Sequence, residues 1–441
     1  MYSKLIVRSL AAAAVMMTAG SALAADLYGG GATFPAVPYL GDDYLDTTPD
    51  ARLSTSAGNL AGTNGNGSNA TEAGLGAGSV FATYSANSGH RVSYCQTGSG
   101  FGKTRLNTNG ATGDCRDFSD SSPQGLSAAS ATPDFIGTDS PYSTSDYTAF
   151  RAGANSAKQG VTQIPTMIGA IALAYDGNEA PLLNLSTEQV CKIYSGQITT
   201  WNAVAGSTLL GPIKIVYRSD NSGTSFAFTS YLASKCNGNY GVAAGFFSPN
   251  QSFATAAANA LALYASTAAV SGNNNVVSNA GAAGSLGLGY ADFGEVANQG
   301  ANFARVNGYN PQNFGDIDGN GTDSIALATG DLLRGYVLNG ATEAAISTLG
   351  FSPAIPTAIQ NCMFVVKPSM TISDRYPIAA VTYLNAYARS NAQPAALKGL
   401  FQAFLAHPQL PVGFAYMDGN ATHASWINVA VNGPATVNCL Q

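Results

Sequence analysis

The chain has 441 residues, of which 10% are charged, and its formal net charge at pH 7 is −6. This acidic balance excludes a nucleic acid or an anionic membrane held by bulk charge, although it leaves room for a local anion site. The length is well above the ~250–300 residues at which one hydrophobic core stops growing, so two lobes are expected.

Residues 1–25 have the pattern of a cleavable secretory signal peptide. Lys4 and Arg8 precede an apolar run from Leu10 to Met17, and the small residues 21–24 fit a cleavage site. No cysteine lies directly after the expected cut, so lipid attachment is not expected, and no later stretch holds the ~18 consecutive apolar residues of a membrane span. We therefore expect a periplasmic or secreted protein that is not embedded in a membrane.

A glycine-rich segment, GGGATFPAVPYL, starts at Gly29 and predicts a strand-to-helix turn. Its glycines let the backbone approach a small ligand, and Pro35 is tolerated in a first helical turn. Two other stretches, 56–79 and 270–284, are dominated by Gly, Asn, Ser and Ala. Both are predicted to be long surface loops, because they hold too few large apolar residues to anchor a core element.

The segment YCQTGSGFGKT, residues 94–104, imitates the end of a nucleotide-binding Walker A loop. The opening glycine of that motif would stand at position 97, which is Thr97, and an exported protein has little access to nucleoside triphosphates, so this interpretation is rejected. Two interpretations remain. The segment is an ordinary turn at Cys95, or Ser99 is a hydroxyl donor beside backbone N–H groups.

The segment PDFIGTDSPYS, residues 133–143, places Asp139 just after a predicted strand. A carboxylate beside an anion site is normally repulsive. It becomes useful when the ligand carries a proton, because ionised Asp139 accepts a hydrogen bond from hydrogenphosphate and cannot accept one from sulfate.

Apolar strand-like runs, such as 168–175 and 213–217, alternate with helical patterns along the chain. This alternation favours α/β lobes with mainly parallel sheets. Two helices can be predicted in detail. One starts at the capping box of Ser186, and the other starts near Pro394 and ends before Pro408.

The loop RSDNSGTSF, residues 218–226, follows a predicted strand and leads into a predicted helix. Free N–H groups and the helix dipole favour an anion there. Arg218 supplies a bidentate fork, Ser222 and Thr224 add hydroxyl donors, Gly223 lets the backbone come close, and Asp220 orients the arginine. The alternative is a serine-capped helix with a surface ion pair.

Six cysteines in an exported chain suggest disulfides, although six allow 15 pairings and the sequence does not choose among them. A zinc site is disfavoured because no two cysteines are spaced as C-x-x-C and the three histidines are far apart. Pairing of neighbours gives Cys95–Cys115, Cys191–Cys236 and Cys362–Cys439.

The segment DIDGNGTDS, residues 316–324, has the beginning of a calcium loop. Its first, third and fifth positions are Asp316, Asp318 and Asn320, and its sixth is glycine, but its twelfth is Leu327 instead of a bidentate glutamate. Asp323 and Asp331 are alternative ligands. A turn without metal is the favoured interpretation over a weak calcium site.

Four of these segments, in this order, resemble the phosphate-specific periplasmic binding proteins, and the likeness extends over most of the chain. That family carries a GATFPAP-like opening, a Gly-Ser-Gly-rich turn, a Gly-x-Ser/Thr-Asp segment and an Arg-x-Asp-Gly-Ser-Gly-Thr loop. The DING branch is closer still, on LSTEQVCKIYSGQITTWNAVAGS (185–207), GPIKIVYRSDNSGTSFAFTSYLASKCN (211–237) and SLGLGYADF (285–293). Two departures are Asp26-Leu27-Tyr28-Gly29 at the expected mature start and Asn221 in place of a glycine.

The resemblance implies a set of phosphate contacts divided between two lobes, with no catalytic residue and no cofactor. It also supports the pairs Cys191–Cys236 and Cys362–Cys439. The implied contacts are Thr33, Phe34, Ser99 and Asp139 from one lobe and Arg218, Ser222, Gly223 and Thr224 from the other, with Asp220 pairing with the arginine.

The resemblance also implies a type II, two-lobed periplasmic-binding-protein-like α/β fold with mixed sheets flanked by helices and a ligand cleft between the lobes. Lobe I would comprise residues 26–165 and 353–441, and lobe II residues 166–352, with crossings near Pro165 and Pro353. The expected protein is a monomer that captures inorganic phosphate, for an ABC permease or for extracellular scavenging. The alternatives are a phosphatase or other hydrolase with Ser99 or Ser222 as nucleophile, and a calcium-dependent adhesive protein.

Overall fold

A computed structural model describes residues 25–41, 51–53, 72–108, 132–179, 183–321, 323–328, 330–405, 409–417, 428, 431 and 438–441. The expected signal peptide lies outside the described residues, apart from Ala25. Among the described helices, none combines the length and the apolar character that crossing a membrane requires.

The described strands and helices alternate along much of the chain. The strands are β1 Asp26–Gly31, β2 Ala51–Leu53, β3 Glu72–Gly74, β4 Arg91–Gln96, β5 Phe135–Thr138, β6 Val161–Tyr175, β7 Asn184–Leu185, β8 Lys214–Arg218, β9 Ser266–Val270, β10 Gly287–Asp292, β11 Asn302–Phe303, β12 Arg305–Val306, β13 Leu332–Arg334, β14 Tyr336–Asn339, β15 Thr342–Ala345, β16 Phe364–Val366, β17 Ala379–Tyr387 and β18 Phe414–Tyr416. The helices are α1 Ala36–Leu40, α2 Val80–Ser88, α3 Ser99–Asn107, α4 Thr144–Ala152, α5 Thr187–Tyr194, α6 Gly223–Cys236, α7 Phe253–Ala256, α8 Ala258–Leu261, α9 Asn273–Gly281, α10 Phe293–Asn298, α11 Thr357–Gln360 and α12 Pro394–Ala403.

One long sheet runs through the molecule in the order β3-β2-β4-β1-β5-β17-β6-β10-β8-β9. The buried, 15-residue strand β6 joins its two halves: residues 161–170 pair with β17, and residues 171–175 pair with β10. We call β1, β4, β5 and β17 the first half of the sheet, and β8, β9 and β10 the second half.

Strand direction differs between the outer strands and the centre of the sheet. β1 is parallel to β4 and β5, and β8 is parallel to β9 and β10, as the alternating pattern predicts. The expectation of mainly parallel sheets is wrong at the centre, where β6 is antiparallel to β10, β17 and β18. An apolar strand pattern reports burial and carries no information on the direction of the neighbouring strand. The mixed sheets implied by the resemblance are therefore present.

The predicted return of the chain to lobe I near Pro353 stays a prediction, because the packing around this proline does not separate two lobes. A hydrophobic cluster contains Tyr147 of α4 together with Ile346 and Ile359, which lie on opposite sides of Pro353. Residues before and after this proline thus pack against the same element of the first half. The other predicted crossing, Pro165, lies within β6.

The prediction that residues 270–284 form a long surface loop is wrong. It contains the nine-residue helix α9, in which Val276, Val277 and Ala280 are buried against the sheet. The small apolar face of this helix was hidden by its asparagines and glycines. Most of the other predicted loop, residues 54–71, lies outside the described residues, and its end contains β3 and Ser79, the N-cap of α2.

Several local predictions are confirmed. Ser186 and Gln189 form the capping box of α5, and α12 begins at Pro394, while Pro408 lies outside the described residues. Two disulfides are formed as predicted, Cys191–Cys236 between α5 and α6 and Cys362–Cys439 at the chain end. Cys95 is disulfide-bonded, but Cys115, its predicted partner, lies outside the described residues.

Candidate anion-binding site

The candidate site lies where the carboxyl ends of parallel strands from both halves of the sheet meet. In the first half, Thr33 follows β1, Ser99 follows β4 and Asp139 follows β5. In the second half, the loop after β8 leads into α6, and Asn273 follows β9. Ligands of open α/β sheets bind at this edge because helix N-termini and loop side chains converge there.

Two walls can be defined from these loops. The first wall consists of Thr33, Phe34, Ser99 and Asp139, and the second wall consists of Arg218, Asp220, Ser222, Gly223, Thr224 and Asn273. They approach each other closely, since Arg218 Nη1 donates to Thr33 Oγ1 at 3.0 Å. The structure therefore brings the residues predicted from separate segments into one place.

Arg218 is almost fully enclosed, with 2% of its surface exposed. Its Nε donates to Asp220 Oδ1 at 2.7 Å and its Nη2 donates to Asp220 Oδ2, while Nη1 donates to Asn273 Oδ1 at 2.6 Å as well as to Thr33. A guanidinium has five N–H groups. Four are used by these bonds, so one N–H of Nη2 remains for a ligand, and loss of the bond to Thr33 would free a second on Nη1.

The pair of Arg218 and Asp220 stays ionised in spite of its burial. Burial raises the pKa of Asp220, but the charge of Arg218 and its hydrogen bonds outweigh burial and hold that pKa below its usual range. Burial lowers the pKa of Arg218, and Asp220 reverses this effect and raises it. The second wall therefore presents an oriented cation whose charge is largely compensated.

Three helices begin in the site. α3 begins at Ser99, α6 at Gly223 and α9 at Asn273, and they have 9, 14 and 9 residues. The first N–H groups of a helix have no acceptor within the helix, and the aligned peptide dipoles make its N-terminus positive. Both effects favour an anion between the walls.

Four hydroxyl groups of the site accept hydrogen bonds from the protein. A hydroxyl that accepts such a bond keeps its own proton for another partner. The site therefore offers neutral O–H donors in addition to N–H groups. The bonds are Arg218 Nη1 to Thr33 Oγ1, Asp139 N to Ser99 Oγ (3.0 Å), Ser225 N to Ser222 Oγ (3.2 Å) and Asn273 Nδ2 to Thr224 Oγ1 (3.4 Å).

Asp139 is the one predicted acceptor of the first wall, and it is 3% exposed. Burial raises its pKa to about 7, against the opposing effects of the Thr382 hydrogen bond, the charges of Arg218 and Lys103, and Ser99. Thr382 Oγ1 donates to Asp139 Oδ1 at 3.1 Å. This bond occupies one carboxylate oxygen, and the Ser99 hydroxyl also interacts with the carboxylate, so a proton-bearing ligand atom would share this acceptor with two hydroxyls.

Lys103, the lysine of the segment that imitates a Walker A loop, has a structural role. It is 2% exposed, and its Nζ donates to the carbonyl of Pro141 at 2.8 Å and to Asp146 Oδ2 at 3.0 Å. Lys103 thus holds the loop that follows Asp139. This geometry supports the rejection of the nucleotide site, because the ammonium group is committed to the protein.

Glycines allow the two walls to touch. A Cβ on Gly223 would lie 2.4 Å from Ser99 Oγ and 2.6 Å from Asp139 Cβ, and a Cβ on Gly100 would lie 2.6 Å from Asn221 Cβ. Gly100 N donates to the Asn221 carbonyl at 3.0 Å across the same contact. Asn221 is not among the described non-glycine residues with a positive φ, so the glycine of the resembling family is not required there.

Phe34 lies in the core of the first half. It is fully buried, and its ring packs edge-on against Phe414 at 5.4 Å between centroids. Its side chain therefore cannot reach into the site while this packing holds. A contact of Phe34 with a ligand must come from its backbone N–H.

The alternative interpretation of the 218–226 loop, a serine-capped helix with a surface ion pair, is correct in part. Ser222 is the N-cap of α6, as that interpretation requires. The ion pair of Arg218 with Asp220 is not at the surface, because the Arg218 side chain is 1% exposed and the Asp220 side chain 20%. Capping of a surface helix does not require a buried arginine at its N-terminus, so this interpretation leaves Arg218 unexplained.

Sequence reasoning missed Asn273, Asp292 and Thr382. Asn273 connects Arg218 to Asp292, since its Nδ2 donates to Asp292 Oδ2 at 2.8 Å. Asn273 and Asp292 both lie at the carboxyl ends of strands, β9 and β10, so the strand-end rule that selected Asp139 could have found them. Thr382 lies within β17, and nothing local in the sequence marks it.

The weak calcium candidate is a tightly turned loop. Asp316 Oδ1 accepts from the backbone of Gly319 and Asn320, and Asp318 accepts from Asn320. Asp323 pairs with Arg375. Across the described part of the chain, no group of three or more His, Cys, Asp or Glu side chains is arranged to hold a metal ion.

Comparisons with known proteins identify a family. The family model described as "PBP superfamily domain" matches residues 54–406. Among curated relatives, Alkaline phosphatase L of Pseudomonas aeruginosa is 34% identical over 223 residues, which is 50% of this chain and 54% of that protein. Phosphate-binding protein PstS 3 of Mycobacterium leprae is 36% identical over 115 residues, which is 24% of this chain and 30% of that protein. The matches thus span about half or less of the relatives' length.

Solved structures share the fold over nearly the whole chain. A high-affinity periplasmic phosphate-binding protein bound with phosphate has a TM-score of 0.58 at 19% identity, covering 94% of this chain and 98% of that one. A DING protein has a TM-score of 0.53 at 20% identity, covering 92% and 93%. The expected periplasmic-binding-protein-like fold is confirmed, and the chain belongs to the PBP superfamily.

Proposed function

We propose that this protein reversibly captures hydrogenphosphate between the two walls, without a chemical step. The observation that carries the proposal is a buried carboxylate, Asp139, beside a buried arginine, Arg218, and three helix N-termini. Donors alone would suit any oxyanion. Donors together with one acceptor suit an oxyanion that still carries a hydrogen.

Arg218, Ser222, Gly223 and Thr224 would bind the anion from the second wall. Thr33, Ser99 and the Phe34 backbone would bind it from the first wall, and Asp139 would accept its proton. Sulfate has no proton to offer at neutral pH and would face the charge of Asp139 without compensation. This difference is the proposed source of selectivity.

Closure of two lobes would exclude water from the ligand. The proposed lobes keep the boundaries predicted above, residues 26–165 with 353–441 and residues 166–352. The glycine contacts of Gly100 and Gly223 support this idea, because they allow the walls to meet without a gap. Binding in a dry site strengthens each hydrogen bond to the anion.

The named relatives support the same ligand. They include a phosphate-binding protein and a solved structure bound with phosphate. We propose a periplasmic or secreted location, a monomeric protein without a cofactor, and delivery to an ABC permease or extracellular scavenging as the use of the captured phosphate.

Phosphatase activity is the second candidate, because one relative is an alkaline phosphatase by name. Ser99 or Ser222 would then be the nucleophile. Among the described residues, no histidine contacts either hydroxyl; His90 accepts from the backbone of Ala25, and His407 and His423 lie outside them. Release of phosphate from an aryl phosphate that disappears in Ser222→Ala would favour this candidate over capture.

The main proposal is tested by calorimetric titration of refolded, phosphate-stripped protein with phosphate, sulfate and arsenate. We expect one phosphate per chain, displacement of phosphate by arsenate, and sulfate binding at least about tenfold weaker, which is about 1.4 kcal/mol. Absence of phosphate binding, or equal binding of sulfate, would contradict the proposal.

A further inference from the structure

The pairing of β6 with β17 is irregular at one place. On β17, Thr382 and Tyr383 are consecutive. Their partners on β6 are Met167 and Pro165, which leaves Thr166 as an extra residue. An extra residue of this kind is a β-bulge, and bulges beside functional sites commonly re-aim a side chain. Since β17 also pairs with β5, the bulge lies next to a strand that leads into the first wall.

At the bulge, the hydroxyl of Thr382 points to Asp139. Tyr383 pairs with Thr138, the last residue of β5, so Thr382 lies opposite the residue that follows β5. Thr382 Oγ1 donates to Asp139 Oδ1 at 3.1 Å, and Thr382 is 0% exposed. A hydroxyl group has one proton, so Thr382 gives its proton to this carboxylate.

Two further buried hydroxyl groups hold the backbone of Thr382. Thr166 Oγ1 donates to the Thr382 carbonyl at 3.1 Å and lies 3.2 Å from the Tyr39 hydroxyl oxygen. Because the single proton of Thr166 goes to the carbonyl, Tyr39 is the donor in the second bond. Thr166 and Tyr39 are both buried, so solvent does not compete for these bonds. Tyr39 thus fixes Thr166, and Thr166 fixes Thr382.

The Thr382 bond acts on the charge of Asp139 as well as on its position. A hydrogen bond donated to a carboxylate stabilises its ionised form. Burial raises the pKa of Asp139 to about 7, and the Thr382 hydrogen bond is the largest effect that opposes burial. The charges of Arg218 and Lys103 and the Ser99 hydrogen bond act in the same direction, but less strongly.

Three other titratable groups lie near Asp139. Burial raises the pKa of Tyr39, against the Thr166 hydrogen bond, and the charge of Asp139 raises it further. Lys367 and Tyr383 line a space together with Asp139. A substitution of Thr382 leaves all three groups in place.

We propose that Thr382 is a specificity-determining positioning residue, which holds Asp139 as the acceptor for a proton-bearing anion. This inference rests on the proposed capture of phosphate and deepens it. Without the Thr382 hydroxyl, Asp139 would keep its proton over a wider pH range. A protonated carboxyl group donates a hydrogen bond, so it would no longer distinguish hydrogenphosphate from sulfate.

The test is the pH dependence of the ratio of phosphate to sulfate affinity, measured by calorimetry in the wild type and in Thr382→Val. Valine keeps the branched side chain and removes the hydroxyl. The ratio should rise as Asp139 ionises, and the midpoint of this rise should move to higher pH by about one unit in the variant, which is about 1.4 kcal/mol. The titration of phosphate itself is the same for both proteins and cancels in the comparison.

Two matched variants separate this role from a structural one. Thr382→Ser keeps the hydroxyl and should return the midpoint to the wild-type value. Thr162→Val is the control, because Thr162 of β6 is equally buried and donates its hydroxyl to the carbonyl of Cys439, away from Asp139. Both valine variants should melt at lower temperature, whereas only Thr382→Val should move the midpoint.

Tyr39→Phe tests the two supporting hydroxyl groups. Phenylalanine keeps the packing of the ring against Tyr94 and Phe404 and removes the donor to Thr166. The midpoint should move in the same direction as in Thr382→Val but by less, because Thr166 keeps its bond to the carbonyl. An unchanged midpoint would overturn the part assigned to Tyr39.

NMR titration of the Asp139 carboxyl group gives a readout that needs no ligand. The phosphate-free protein is labelled at the aspartate carboxyl carbons, and Asp139→Asn assigns the signal. The pKa of Asp139 should be higher in Thr382→Val than in the wild type and unchanged in Thr162→Val. If Thr382→Val does not fold, Thr382→Cys takes its place and should give a smaller shift, since a thiol is a weak donor.

The outcomes separate this inference from the proposed function. A wild type that binds no phosphate overturns the capture of phosphate, and with it the specificity assigned to Thr382. A protein that binds phosphate, but whose midpoint and Asp139 pKa do not depend on the Thr382 hydroxyl, overturns only this inference. An equal shift of the midpoint in Thr162→Val also overturns it, because the effect would then follow from lost stability alone.

Discussion

The two walls of the site differ in how they are built and in what they contribute. The second wall takes Arg218 to Thr224 from one contiguous segment at the junction of β8 and α6, with Asn273 added after β9, and its cation is held by Asp220. The first wall collects residues from three separate loops, and its charged group, Asp139, has a pKa of about 7. From this comparison we propose that the second wall supplies most of the affinity for phosphate and the first wall supplies the selectivity.

The largest effect is expected from removing the cation of the second wall. Arg218→Ala should weaken phosphate binding by about 3 kcal/mol or more, because it leaves a desolvated anion without its charged partner and strands Asp220. Calorimetry checks this, with Arg151→Ala of α4 as a control arginine outside the site. Equal affinity in the two variants would remove Arg218 from the account.

Gly223 tests whether the walls must touch. Gly223→Ala places a Cβ within 2.4 Å of Ser99 Oγ, so one wall must move. We expect phosphate affinity to fall by about 1–3 kcal/mol, the usual range for overpacking. The melting temperature of the phosphate-free protein should change little, because the proposed opening of the lobes would relieve this contact. An unchanged affinity would show that closure does not need the glycine.

Asn273 tests the support of the second wall. Asn273→Ala removes the acceptor of Arg218 Nη1 and the donor to Thr224 Oγ1. Losing one such bond costs about 0.5–1.5 kcal/mol, and about 1.5–3 when a charged group is involved, so phosphate affinity should fall by about 1–2 kcal/mol. The selectivity between phosphate and sulfate should stay the same, since Asp139 is unaffected. A change of selectivity without loss of affinity would reverse the assignment of roles to the two walls.

A prediction of a different kind concerns the pH dependence of the stability of the phosphate-free protein. Burial raises the pKa of Asp139 from 3.8 to about 7, so the folded protein holds this proton over a pH range in which the unfolded chain has lost it. The contribution of Asp139 to the free energy of unfolding therefore falls as pH rises from about 4 to about 7. Asp139→Asn should remove this part of the decline. Parallel melting curves of the two proteins across that range would contradict the raised pKa.

The sequence was sufficient where one loop carries its own chemistry. The strand, the glycine and the hydroxyls of the 218–226 loop are contiguous, and the capping of α5 is decided within four residues. Asp139 was found because it directly follows a short apolar run. These features depend on local backbone geometry, which a linear pattern records.

The sequence was insufficient where a contact depends on distant strands. Thr382 reaches Asp139 because β17 lies beside β5, and that pairing joins residues more than 200 positions apart. Asn273 was overlooked because the composition of 270–284 concealed α9. The need for Gly223 also became visible only when Ser99 and Asp139 were placed against it.

The most direct test of the account is the ratio of phosphate to sulfate affinity in the wild type and in Asp139→Asn, measured by calorimetry at the same pH, above the value of about 7 to which burial raises the pKa of Asp139. The account predicts a strong preference for phosphate in the wild type. In the variant, sulfate should gain affinity, because the repelling charge is gone, and the ratio should fall by about tenfold, or about 1.4 kcal/mol. An unchanged ratio would contradict the central claim that a buried acceptor in the first wall selects a proton-bearing anion.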